Sequence, residues 1–148
     1  MPSIDDPERN AARRAERFKR VRDAHQTEMA EDYVELIADL IDEKGEARVV
    51  DLAGRLGVTK PTVNSAIQRL QRDGFVSSEP YRSIFLTEKG LRLAASSRER
   101  HRVVREFLVA LGVDAETAES DAEGIEHHVS DATLDTFRNY LRNRRRAR

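Results

Sequence analysis

Two short apolar stripes separated by one tight turn constrain the fold of this chain more than any other feature. Val49, Leu52, Ala53 and Leu56 recur at i, i+3, i+4 and i+7, the spacing of a helix with one buried face. Val63, Ala66, Ile67 and Leu70 repeat it. Between them Gly57-Val58 makes a turn and Thr59 is a good N-cap. Pro61 suits a first helical turn, where its missing N–H is no loss. The expected elements are a helix over Arg48–Leu56 and another after Thr59. The outer face of the second shows Lys60, Thr62, Asn64, Ser65, Gln68, Arg69 and Arg72, with no acid before Asp73. Short polar, amide and basic side chains of this kind hydrogen-bond base edges and phosphates.

The flanking segments extend the pattern. Met29, Tyr33, Leu36, Ile37, Leu40 and Ile41 form one apolar stripe from about Thr27 to Glu43, and Gly45 stops that helix. Asp73-Gly74 turns the chain into Phe75-Val76, a first strand. Ser78-Glu79-Pro80 makes the tip, and Tyr81–Leu86 returns as a second strand with Ile84 and Leu86 alternating. Helix, short helix, turn, helix and hairpin is the order of a winged helix-turn-helix. Arg82 on the hairpin is a further candidate for phosphate contact.

Thr87 caps a long helix over Glu88–Leu111, which Gly112 stops. Leu91, Ala94, Ala95, Val104, Phe107, Leu108 and Leu111 are its expected buried side. Val113–Glu119 reads as a short acidic helix or turn, and Ser130 caps a last helix through Leu134, Phe137 and Leu141. The fold class is therefore mainly α. The expected organisation is a basic N-terminal arm over 1–24, a winged helix-turn-helix DNA-binding domain over 25–93, and a helical domain over 94–148. Pro2 and Pro7 disfavour early helix in the arm, although Ala11, Ala12 and Ala15 allow one to start near Pro7.

A net charge of -1 conceals a segregation of charge. Arg9 to Arg22 holds seven basic residues against Glu16, Val113 to Leu134 has no Lys or Arg, and Arg138 to Arg148 carries six arginines. Such blocks suit a polyanion at the ends and a cation in the middle. The arm's arginines read equally as a solvated face or as contacts to nucleic-acid backbone. With no cysteine there are no disulfides or thiolate metal sites, which fits a reducing cytoplasm. No apolar run approaches the roughly 18 residues of a membrane span, and the N-terminus lacks an apolar signal region. There is no Gly-rich phosphate loop, Ser/His/Asp set, zinc-finger spacing or HExxH, so an enzyme is not expected.

The acidic block contains Glu123, Glu126 and His127 at i, i+3 and i+4, one face of a helix. Carboxylate and imidazole without thiolate suit a divalent cation such as manganese or ferrous iron. A competing reading makes Ser120 and Glu123 a capping box at a helix start. Gly124 reads as room for a neighbouring backbone. Upstream, Asp32 and Glu35 share an edge of the first helix and taken alone are surface acids, as His101 among arginines is taken alone a surface histidine.

Four stretches carry a family resemblance: Met29-Ala-Glu-Asp-Tyr-Val-Glu-Leu-Ile, Glu43-Lys-Gly-Glu-Ala-Arg-Val, Tyr81-Arg with Leu86-Thr-Glu-Lys-Gly, and Glu123-Gly-Ile-Glu-His-His. The chain resembles the diphtheria toxin repressor family of metal-dependent winged-helix repressors, in its manganese branch, from about Met29 to Tyr140. The resemblance implies a homodimer that binds a palindromic operator on double-stranded DNA when metal-loaded, in the cytoplasm and away from membranes, and represses manganese uptake genes. It implies a site for Mn2+, two ions per subunit, held by Asp32, Glu35, His101, Glu123, Glu126 and His127. Glu35 and Glu126 would bridge, with Asp32 and His101 on one ion and Glu123 and His127 on the other. His128 would be structural. The iron-responsive branch has softer sulfur-containing residues where this chain has carboxylates. The SH3-like domain of longer members has no counterpart here. The resemblance assigns dimerisation and metal sensing to the helical domain over 94–148, where Val104, Phe107, Leu108 and Phe137 would make the dimer contact.

Overall fold

The computed structural model describes residues 6–79 and 82–148. Its elements run α1 (Pro7–Lys44), α2 (Val49–Leu56), α3 (Lys60–Arg72), β1 (Val76–Ser77), β2 (Phe85–Leu86), α4 (Glu88–Leu111), α5 (Ala115–Ile125) and α6 (Asp131–Arg146). The winged helix-turn-helix and the helical second half are both present. Thr59, Thr87 and Ser130 cap α3, α4 and α6 through their side chains as expected, and Gly45 and Gly112 end α1 and α4 with positive φ.

α1 departs from expectation. It is one helix of 38 residues, so the arm is its first turns rather than a separate polar segment. Asp6 accepts from the Glu8 N–H at 3.1 Å, Pro7 occupies the first turn, and no Gly or Pro interrupts the chain before Gly45. With start signals in place and no breaker, the alanines and arginines continue the helix. Residues 6–23 are all exposed, Phe18 and Val21 included. The boundary expected at 24/25 thus falls inside α1, and that at 93/94 inside α4.

The wing is shorter than expected. β1 and β2 pair antiparallel over Val76↔Leu86 and Ser77↔Phe85 only, and an isolated bridge joins Ala47 to Ile84. Pro80 and Tyr81, expected at the tip and the second strand's start, lie outside the described residues. The wing is tied to its surroundings by Gln71, which donates to the Ser78 carbonyl at 3.3 Å, and by Ser83, which donates to Glu46 at 3.0 Å.

Tyr33, Ile37 and Leu40 of α1 pack with Leu52, Val63, Ile67, Leu70 and Ile84 into the core of the winged helix. Val34 and Ala38, on another face of α1, meet Ala94 of α4. A second core joins Val103 and Val104 of α4 to Ala122 and Leu134. α1 therefore belongs to both halves of the molecule. In α4 the inward stripe is Gly90, Ala94, Ser97, Val103 and Val104. Leu91, Ala95 and Leu111 are exposed, contrary to expectation, and Val103 replaces them. The inward face is lined by small residues because α1 approaches closely, which leaves the larger Leu91 and Leu111 outside. Val104 is buried within the chain, so it is not available to a second copy.

Candidate metal centre

Three helices converge where α1 passes between the two cores. Asp32 and Glu35 flank Tyr33, which enters the winged-helix core. His101 falls on the inward side of α4, four residues after Ser97 and three before Val104. α5 starts at Ala115 with Asp114 as N-cap, accepting from the Thr117 N–H at 3.0 Å. Ser120 is therefore mid-helix, and the capping-box reading of Ser120 and Glu123 is wrong. Gly124 is also mid-helix, and a Cβ there would meet nothing within 4 Å, so it makes no room for a neighbouring backbone. α5 ends at Ile125. Glu126 caps it with helical backbone angles, its N–H reaching the Ala122 carbonyl at 3.0 Å, while His127 and His128 lie in the following turn.

The six side chains named from the resemblance come together. His101 Nδ1 is 3.1 Å from Glu126 Oε2 and 3.7 Å from Glu123 Oε1. His127 Nε2 is 3.2 Å from Asp32 Oδ1 and 3.4 Å from Glu126 Oε1. The pairing is exchanged relative to expectation: His101 neighbours Glu123, and His127 neighbours Asp32. The reason is the turn after α5, which carries His127 across to α1 while Glu123, one turn back, stays over α4. Glu126 lies between the two imidazoles and is 1% exposed.

The electrostatics are unusual for a protein interior. Glu35 Oε1 and both Glu126 carboxylate oxygens are buried and accept no hydrogen bond. Burial raises the pKa of Glu35, with Glu123 and Asp32 adding to the effect. Burial, followed by the nearby Glu35 charge, pushes Glu126 up to about 7. For His127 burial acts downward, but Asp32 and Glu31 outweigh it and push it up to about 10. For His101 burial again acts downward, and Glu119, Glu126 and Glu123 outweigh it to raise the pKa. Orphaned buried carboxylates are expensive unless something positive meets them. The His127 imidazole, pushed up to about 10, partly fills that role, with His101 also raised beside it. A divalent cation fits the same donors, since four carboxylates and two imidazoles form a hard, sulfur-free set.

Four further residues support the site and were not read from the sequence. Glu31 meets His127 Nδ1 at 2.5 Å, and Glu119 meets His101 Nε2 at 2.8 Å. A carboxylate on the far nitrogen of an imidazole fixes its orientation and its tautomer. Glu28 shares a cluster with Asp32 and His127, with ligand atoms within 4.8 Å of one another. Arg100 donates to the Glu126 carbonyl at 2.9 Å and also to the Val129 carbonyl, holding the turn in place. The available signal was spacing: Glu28, Glu31, Asp32 and Glu35 recur at three and four residues, and Glu119 precedes Glu123 by four.

The second candidate surface is α3. Lys60, Thr62, Asn64, Ser65, Gln68, Arg69 and Arg72 are all exposed, while Val63, Ala66, Ile67 and Leu70 are buried beneath them. The Thr62 hydroxyl is 2.9 Å from that of Thr59 and so is partly engaged at the cap. Arg82 on the wing is exposed and 3.1 Å from Glu79.

Two family models match this chain. "Iron dependent repressor, N-terminal DNA binding domain" covers residues 25–84, and "Iron dependent repressor, metal binding and dimerisation domain" covers residues 87–147. The chain is 54% identical over 129 residues to "Transcriptional regulator MntR" of Escherichia coli O6:H1, covering 87% of this chain and 83% of that protein. It is 42% identical over 109 residues to "HTH-type transcriptional regulator MntR" of Bacillus subtilis, covering 74% and 77%. Among solved structures, a "Manganese-dependent transcriptional repressor complex with manganese" is similar with a TM-score of 0.68 and 31% identity, over 76% of this chain and 52% of that one. The manganese regulator SloR is similar with a TM-score of 0.66 and 28% identity, over 76% and 53%. This chain spans about half the length of those two solved chains.

Proposed function

The chain belongs to the iron-dependent repressor family, and from that premise we propose that it is a manganese-responsive DNA-binding repressor. The observation that carries the reading is the set of buried carboxylate oxygens without a hydrogen bond, Glu35 Oε1 and both of Glu126, where three helices meet and Glu126 lies between two imidazoles. Asp32, Glu35, His101, Glu123, Glu126 and His127 would hold the metal. The contacts support two positions per subunit, one beside His101 and Glu123 and one beside Asp32 and His127, with Glu35 and Glu126 between them. Bound cations would supply positive charge that the two imidazoles provide only in part. Sulfur-free ligation favours manganese through geometry and availability rather than intrinsic affinity.

Coupling to DNA follows from α1, which contributes Asp32 and Glu35 to the site and Tyr33, Ile37 and Leu40 to the winged-helix core. Fixing α1 against α4 and α5 fixes the DNA-binding half against the dimer-forming half. In a homodimer that sets the separation of the two α3 helices, which for successive half-sites is about 34 Å. Metal shifts this equilibrium only by its differential affinity for the fixed arrangement. The contact between copies would use the Phe107–Phe137 pair, stacked at 3.9 Å, with exposed Leu111 and Tyr140. Lys60, Thr62, Asn64, Ser65 and Gln68 would meet bases of a palindromic operator. Arg69, Arg72 and Arg82 would meet phosphate.

The test is gel shift on duplexes selected by the chain in the presence of Mn2+. Tight binding with Mn2+ and loss of binding in chelator are expected; equal binding in both overturns the metal switch. His101→Ala should remove the Mn2+ response while circular dichroism stays unchanged, and a variant that still responds removes His101 from the site. On the DNA side, Gln68→Ala should weaken the selected site by about 1–3 kcal/mol and relax preference at one base pair, whereas Arg69→Ala should weaken all duplexes alike and lower the salt slope by about one. Equal loss of sequence preference in both variants would contradict that division of roles.

A further inference from the structure

We propose a third cation site, outside the Glu35–Glu126 centre, formed by His25 and Glu28 of α1 with His128 of the turn after α5, and taking a borderline divalent ion such as zinc. The three residues each offer a ligand atom, all within 4.8 Å of one another. His25 and Glu28 are three apart on α1 and so share a face. His128 Nε2 lies 3.6 Å from Glu28 Oε2, and the rings of His25 and His128 stand edge to face, 5.2 Å between centroids. Two imidazoles bound to one ion through ~2.0–2.1 Å bonds at a tetrahedral angle place their centroids about 5 Å apart. The rings already stand at that separation.

The donor set distinguishes this site from its neighbour. Two imidazoles and one carboxylate, open to solvent on the remaining side, are the three-ligand arrangement of zinc sites that keep a position free. The centre around Glu126 has four carboxylates to two imidazoles and suits a harder ion. Imidazole-rich ligation favours zinc over manganese by the general order of divalent affinities. Arg17 and Arg20 line the groove beside His128, so a cation here is held by coordination to nitrogen rather than by negative field. Glu28 also lies within reach of Asp32 and His127. An ion bound to it braces α1 against the turn that carries His127, just below the exposed first turns of α1.

Zinc counted per chain by equilibrium dialysis of the full-length protein tests this. His25→Ala, an exposed change on a helix, should lower the count by one and leave Mn2+-dependent DNA binding within about twofold of the parent. His101→Ala should retain the His25-dependent zinc. Bound Co2+ in the His101→Ala protein should show a visible absorption band that is weaker in His25→Ala/His101→Ala, where only the position beside Asp32 and His127 remains. Equal zinc counts in the parent and His25→Ala overturn the site, as does loss of the His25-dependent zinc in His101→Ala; rings that merely stack would give the first result. An unaltered Mn2+ response in His101→Ala would instead count against the proposed function and leave this site standing.

Discussion

Glu126→Gln is expected to make the metal-free chain more stable at pH 8 than its parent while removing its response to manganese. The Glu126 carboxyl is pushed up to about 7 from 4.5, first by burial and then by Glu35. The folded chain therefore binds more protons than the unfolded chain between those values, and stability falls as pH rises through that window. Above about 7 the destabilisation is complete. At about 1.4 kcal/mol per unit it is on the order of 1–3 kcal/mol, the lowering by His101 and His127 being already contained in the value of about 7. Glutamine keeps the shape and removes the charge, so the penalty vanishes. His127 has the opposite sign: its stabilisation is present below the unfolded value and is lost only as pH rises through about 10. Thermal melts in chelator should show a higher Tm for Glu126→Gln at pH 8 and a shrinking difference toward pH 4.5. Manganese affinity should fall by more than about 100-fold, beyond the 10–100-fold typical of losing an outer-shell partner. A variant less stable than its parent at pH 8 would show that Glu126 is held charged by partners and that its oxygens are not orphaned.

Gly90→Ala should be the most damaging glycine substitution in the chain, and Gly54→Ala should have the opposite sign. A Cβ on Gly90 would sit 2.1 Å from the Phe75 carbonyl oxygen and 3.1 Å from its carbon. Both are backbone atoms, so α4 itself must retreat. That retreat pulls on the Thr87 N–H and hydroxyl, which donate to the same carbonyl at 3.0 and 3.1 Å, and on the hydroxyl's 2.6 Å contact with the Gly74 carbonyl. Overpacking of this kind costs about 1–3 kcal/mol or more and exceeds the gain of about 1 kcal/mol from helix propensity. Gly54 lies in α2, where an added Cβ would meet nothing within 4 Å, so alanine there gains propensity without a clash. Urea unfolding should move the midpoint down for Gly90→Ala and up for Gly54→Ala. Equal shifts in one direction would mean that the wing does not rest on α4 as described.

The winged helix was legible because its signals are local. Thr59, Pro61 and the stripe Val63, Ala66, Ile67 and Leu70 lie within about three turns, and such spacing directly states which side of a helix is buried. The six candidate ligands were named through a family resemblance; their spacing alone left Asp32, Glu35 and His101 as surface residues. Their partners were not legible. Glu31 and Glu119 look like ordinary surface acids, and Arg100 like one more arginine in a basic run, until α1, α4 and the turn after α5 are placed together. The inward stripe of α4 departs from expectation at Leu91 and Leu111 because small residues at Gly90, Ala94 and Ser97 give little hydrophobic signal while permitting the closest approach.

The sequence by itself determined the order of elements, their caps and stops, the polar face of α3 and the residue types available to a cation. These depend on interactions within a few residues, which the linear spacing records. Only the tertiary structure decided that the arm is the first part of α1, that His127 stands beside Asp32 and His101 beside Glu123, and that buried carboxylate oxygens of Glu35 and Glu126 accept no hydrogen bond. Those are consequences of three helices packing across long stretches of chain, where burial and the sum of nearby charges depend on distance in space rather than on position along the backbone.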